Sequence, residues 1–237
     1  MADYPIIFSA PMVRGLLREA EVPGTGKTNT RRLAWSKEED RVLSTEELCQ
    51  LERKGWQAID GAGEITTIAK PSPWQKVQPG DRLWVKETWE NSIGAPDEVS
   101  YRATVDRDAA EGWTPEEIAE IRWKPSIYMP RWASRLTLIV TGTKIEPLQD
   151  LSENDAIAEG VEPLHHGFFP YGITTFLTAM IGGKEVPAQC CLNARDSFRL
   201  LWESLYGRSA WDANPEVVAL SFRVIRANID SVEALAA

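Results

Sequence analysis

The stretch RLTLIVTGTKIEPL, residues 135–148, decides the fold. Apolar and β-branched residues alternate along it with a period of two, which predicts a strand over 136–145. Beyond it, Ser152 is placed to cap a short helix that Gly160 ends as the residue after the C-cap. Upstream, PGDRLWVKETW at 79–89 opens with a Pro-Gly-Asp turn. Leu83, Val85 and Glu87 then alternate with Trp84, Lys86 and Thr88, a second strand. Residues 5–9, 100–104 and 216–226 also read as strands. Helical spacing runs through Met12, Val13, Leu16 and Leu17, and hydroxyls and acids at 44–47 start another helix reaching Leu51. NARDSFRLLWESLYG at 193–207 carries a stripe of Phe198, Leu201, Trp202 and Leu205 that predicts a core-facing helix.

Short strands, few helices and no regular βαβ alternation predict an α+β fold, a small β-barrel with helices packed outside it. Polar residues 37–78 and the Gly-, Pro- and aromatic-rich residues 161–192 read as two insertions in a single domain over 1–230, with 231–237 as a tail. Neither insertion carries apolar periodicity enough for a core of its own.

The chain has 237 residues and a formal charge of −9, which argues against coating nucleic acid through bulk attraction. Charge is uneven, however. IRWKPSIYMPRWASR at 121–135 holds Arg122, Lys124, Arg131 and Arg135 without an acid, with Trp123, Tyr128 and Trp132 between them. Such a segment suits a phosphorylated ligand or a stacked base as well as it suits a solvated face. No apolar run approaches the roughly 20 residues of a membrane span and no signal pattern leads the chain, so the expected location is the cytoplasm. Cys49, Cys190 and Cys191 make no disulfide framework. His165-His166 and Cys190-Cys191 lack ligand spacing, so neither metal nor cofactor is expected.

EVPGTGKTNTRR at 21–32 superficially resembles a phosphate-binding P-loop. Glu21 stands where the first glycine belongs, and the segment leaves a helix instead of a strand. The expectation is a glycine-loosened loop presenting Lys27, Thr28, Thr30, Arg31 and Arg32. Glu159 is the other residue at odds with its setting: a carboxylate in the last turn of a helix meets the negative end of the helix dipole. Taken alone, that conflict predicts that Glu159→Gln holds or raises stability.

GKTNTRR, PGDRLWVKETW, DLSENDAIAEGV and WDANPEVVALSF, in this order, resemble an ASCH domain, a relative of the PUA-like RNA-binding barrels. The likeness is nearest to the longer bacterial and prophage members, which carry a segment similar to KPSIYMPRWASR. Small bacterial members of that group remove the acetyl group from N4-acetylcytidine. The resemblance implies Lys27, Thr30 and Glu159 as catalytic residues, with Arg31, Arg32, Glu87, Arg131, Trp132 and Arg135 holding a modified pyrimidine nucleoside or nucleotide. The rival expectations are a non-catalytic RNA- or DNA-binding module, with single-stranded nucleic acid as partner, and a ribonuclease.

Overall fold

The computed structural model describes the chain except residues 43–44, 63–64, 92–98, 109–120, 165–166, 169–177, 182–183, 188–190 and 233–237; side chains are described outside 37–46, 48, 57–68, 106–108 and 163–187 as well. His165, His166 and Cys190 therefore lie outside the described residues, as does the end of the expected tail.

The fold is α+β. Its main sheet has five strands in the order β1 (Asp3–Ile7), β6 (Arg82–Lys86), β9 (Thr137–Pro147), β14 (Glu216–Ile225) and β2 (Asn29–Leu33). β1 runs parallel to β6, and every other neighbouring pair is antiparallel. The strand read from 135–148 is thus the middle of the sheet. Leu83, Val85, Leu138, Val140, Val218, Leu220 and Phe222 are buried between this sheet and its helices. Each such side chain contributes about 1.5–3 kcal/mol when fully buried. Helix α1 (Ala10–Glu21) adds Met12, Val13, Leu16 and Leu17 to the same core.

The turn expected at 79–81 is present: Gly80 has φ +93°, and Asp81 accepts the backbone N–H groups of Ala2 at 2.7 Å and Gln78 at 3.0 Å. It staples the start of the chain to the entry of β6.

Other expectations change in detail. Residues 29–33, read as a loop, form edge strand β2, because their backbone pairs with β14 from Asn29 opposite Ser221 to Leu33 opposite Val217. The polar 37–78 segment contains a three-stranded antiparallel sheet of β3 (Trp35–Val42), β5 (Ile65–Pro71) and β4 (Gln57–Ala62), with the expected helix α2 at Thr45–Arg53. Only part of 100–104 is a strand: β7 (Trp89–Asn91) pairs with β8 (Val99–Tyr101), and α3 (Arg102–Asp108) follows at once. Within 161–192 the described backbone makes two small antiparallel strand pairs, β10 (Pro163–Leu164) with β11 (Gly167–Phe168) and β12 (Thr178–Ile181) with β13 (Lys184–Pro187).

Two helices carry the chain past the sheet. In α4 (Glu153–Ala158), Ser152 and Asp155 form a reciprocal capping box, and Gly160 follows with φ +100°. In α5 (Ala194–Tyr206), Phe198, Leu201 and Trp202 are buried as expected, whereas Leu205 is 59% exposed. The Glu153 carboxylate accepts the N–H of Ala194 at 2.8 Å and so fixes α4 to the N-terminus of α5.

Candidate functional site

Gly26 explains the glycine-rich loop. A Cβ built there would stand 2.2 Å from the Gly15 carbonyl oxygen and 2.4 Å from the Glu19 nitrogen, so only glycine can lie this close to α1. Glu19 accepts the N–H groups of Gly24 and Gly26. The loop is thus a docking device against a helix, with its N–H groups spent on a carboxylate and not on phosphate. From there the Lys27 N–H donates to Gly15, the Thr28 N–H to Ala158 at 2.8 Å, and the Phe222 N–H to Thr28 at 2.9 Å. The last of these falls at the bulge between Ser221 and Phe222 in β14. Lys27 and Thr30 are carried by this pinned segment against the end of α4.

There Lys27 meets Glu159. The ammonium Nζ lies 2.6 Å from Glu159 Oε2 and donates to the Glu159 carbonyl oxygen at 2.7 Å. Neither side chain is more than 2% exposed. Arg31 Nη1 approaches Glu159 Oε1 at 3.4 Å, and Arg31 Nη2 pairs with Glu146 at 2.8 Å. Two cations therefore answer the conflict of a carboxylate at a helix end. The expectation for Glu159→Gln reverses, since removing the carboxylate would strand a buried ammonium. Burial pushes the Lys27 amine down to about 8, against the opposing pull of Glu159 and with help from Arg32 and Arg31.

Thr30 is also buried, and its Oγ1 accepts from Arg32 Nη1 at 2.8 Å. Arg32 stretches on to the Ile7 carbonyl oxygen at 3.0 Å and covers the Phe8 and Trp74 rings. Thr30, Arg31, Arg32 and Glu159 line one cleft, closed on its far side by Phe198, Leu201, Trp202 and Tyr206 of α5. The enclosed part of the cleft is small, about 20 Å³, room for about one water molecule, so a larger ligand has to occupy its open mouth. Lys27 lies behind Glu159 and does not itself line the cleft.

The remaining candidates divide between two places. Glu87 and Arg135 form a two-point pair, with both distances 2.9 Å, and the guanidinium lies 3.9 Å from the Tyr101 ring centroid. Burial raises the Glu87 carboxyl, while Arg135 opposes the shift. Phe8 links this pair to the cleft: its N–H bonds to Lys86, the residue before Glu87, and its ring lies 5.5 Å from Lys27 Nζ. Arg131, by contrast, is held by Asp3 at 2.6 Å and Asp230 at 2.7 Å, at the opposite end of β1 from Ile7. Trp132 is 56% exposed, edge-on to Trp89.

Sequence reasoning assigned Trp202 and Tyr206 no part in a site, because a helical aromatic stripe reads as core. Among the described residues no group of His, Cys, Asp and Glu is placed to hold a metal ion, and no helix is long and apolar enough to cross a membrane. No family model matches the chain, and no curated protein or solved structure matches it.

Proposed function

We propose that the cleft binds a modified pyrimidine nucleoside or nucleotide and that the chain hydrolyses an N4-acyl amide of its base, as an amidohydrolase of the ASCH kind working in the cytoplasm. The observation that carries this reading is the buried Lys27–Glu159 pair, whose carboxylate lines the cleft together with Thr30. Amide hydrolysis needs a nucleophile, a proton acceptor and a donor to the departing nitrogen. Moving one proton across 2.6 Å from Lys27 to Glu159 converts an ion pair into an amine and a carboxylic acid with no net change in charge. The amine takes the proton of Thr30 or of a water, relayed by the Glu159 carboxyl that stands between Lys27 and the cleft, as that oxygen bonds to the acyl carbon. Next, the bond from carbon to N4 breaks, and Glu159 supplies the proton that N4 receives. Where Thr30 attacks, a water cleaves the ester that results. Arg32, already on Thr30 Oγ1, stabilises negative charge there.

The same reading makes the five-stranded sheet a PUA-like barrel. Its support is the bond from Arg32, on one edge strand, to Ile7 on the other, as a curled sheet requires. Trp74, at the end of the first insertion, touches Arg32 and supports that insertion as a border of the cleft.

Incubation with N4-acetylcytidine, followed by mass spectrometry, tests the proposal. Cytidine should appear, and Lys27→Ala, Thr30→Val and Glu159→Gln should each remove most turnover. Full activity in all three variants would overturn the site assignment. A second reading, a recognition module for single-stranded RNA or DNA, is favoured by Tyr128, 74% exposed, near Trp132. Salt-dependent RNA binding without hydrolysis, lost in Trp132→Ala, would put it first; a cleaved strand would indicate a ribonuclease.

A further inference from the structure

Two residues that line the cleft carry buried donors that no described residue answers. Arg31 commits its terminal nitrogens to Glu146 and Glu159, yet its Nε has no hydrogen-bond partner. The indole Nε1 of Trp202 has none either. Arg31 and Trp202 are 4% and 2% exposed, and both line the cleft with Thr30 and Glu159. A buried N–H without an acceptor costs about 1–3 kcal/mol. The ring contacts of Trp202, with Phe198 at 6.2 Å and Tyr206 at 4.5 Å, are ones that a phenyl group also makes.

We propose that Trp202 and Arg31 form an acceptor-reading wall, at which the ligand presents carbonyl oxygen to Trp202 Nε1–H and Arg31 Nε–H. This rests on the pyrimidine reading above and narrows it. Around Arg31 four cations, Lys27, Arg31, Arg32 and Lys144, meet three carboxylates, Glu146, Glu159 and Asp155, so a phosphate dianion placed there would leave excess negative charge. A neutral carbonyl satisfies both donors without it. An acylated cytosine offers two such oxygens, one at ring position 2 and one on the acyl group.

Heteronuclear NMR of the Trp202 indole N–H in the whole chain tests this, with N4-acetylcytidine, cytidine and inorganic phosphate as probes. N4-acetylcytidine should move the resonance downfield, and phosphate should leave it in place. An equal shift with cytidine assigns the contact to the ring oxygen; no shift with cytidine assigns it to the acyl oxygen. Trp202→Phe keeps a ring in the stack and should weaken N4-acetylcytidine binding about tenfold. If that variant does not fold, the titration of the native chain decides alone. A resonance that N4-acetylcytidine leaves still, or that phosphate moves, overturns the acceptor wall. Hydrolysis with an unmoved resonance leaves the amidohydrolase proposal standing without it. A moved resonance without hydrolysis leaves the wall standing and removes the hydrolase.

Discussion

At the scale of single residues, the Lys27–Glu159 pair makes stability depend on pH in a direction opposite to that of most salt bridges. The folded chain holds Lys27 at about 8 against an ordinary value of 10.5. Between those values the unfolded chain binds more protons, so stability rises with pH across that window. Relative to Lys27→Met, the native chain should gain about 3 kcal/mol between pH 7 and 10.5, readable by denaturant titration at each pH. Glu159→Gln should cost about 3–5 kcal/mol while Lys27 is charged, and the cost should shrink as pH rises toward 8, because without the upward pull of Glu159 the stranded lysine loses its proton below its native value. Glu159 was legible because a carboxylate before a C-terminal glycine breaks a local rule. Lys27 entered only through the family resemblance, and its pairing with Glu159 was not legible, since it lies 132 residues away and only the sheet brings the two together.

At the scale of elements, legibility follows the source of each element's stability. β9 and β14 bury alternate apolar side chains, and their period of two shows in the sequence. β2 does not, because NTRRL is held by backbone pairing to β14 and by ion pairs of Arg31, neither of which leaves an apolar pattern. The Gly26 contact was equally hidden, since nothing local announces a helix backbone 2.2 Å from the absent Cβ. Gly26→Ala should therefore push the loop off α1, destabilise the chain by several kcal/mol and lower turnover through Lys27, whereas Gly24→Ala, with nothing within 4 Å but φ +85°, should cost about 1 kcal/mol. Thermal unfolding of the two variants separates packing from backbone strain. The turn before β6 gives a third case. Asp81 is held below its ordinary value mainly by the Gln78 N–H, so Asp81→Ala should cost about 1.5–3 kcal/mol at neutral pH. That difference should vanish as pH falls through the range of the native carboxyl, because a depressed carboxyl stabilises only while ionised.

On the scale of the whole molecule, the two arginines of the MPRWASR segment, expected to converge on one basic cleft, sit at different ends of β1. Arg135 pairs with buried Glu87, next to Phe8 and the cleft; Arg131 is anchored at Asp3, about 13 Å away along the strand from Ile7, where Arg32 docks. Four residues of spacing could not reveal this in the sequence, because a short 3-10 turn at Arg131–Ala133 swings the chain between them. The consequence is a separation of effects. Arg131→Gln breaks two partly exposed ion pairs and should cost about 1–2 kcal/mol, an effect that salt weakens, with turnover of N4-acetylcytidine unchanged. Arg135→Gln leaves the Glu87 carboxylate buried without its partner and should cost about 3–5 kcal/mol. Double substitution with Glu87→Gln should recover much of that loss, because the stranded charge is then gone. Turnover should fall in Arg135→Gln even where the chain remains folded, through displacement of Phe8 beneath Lys27 and Arg32. If instead Arg131→Gln abolishes turnover and Arg135→Gln spares it, the functional end of the sheet is the one at Asp3, and the cleft beside Thr30 is not where the chemistry occurs.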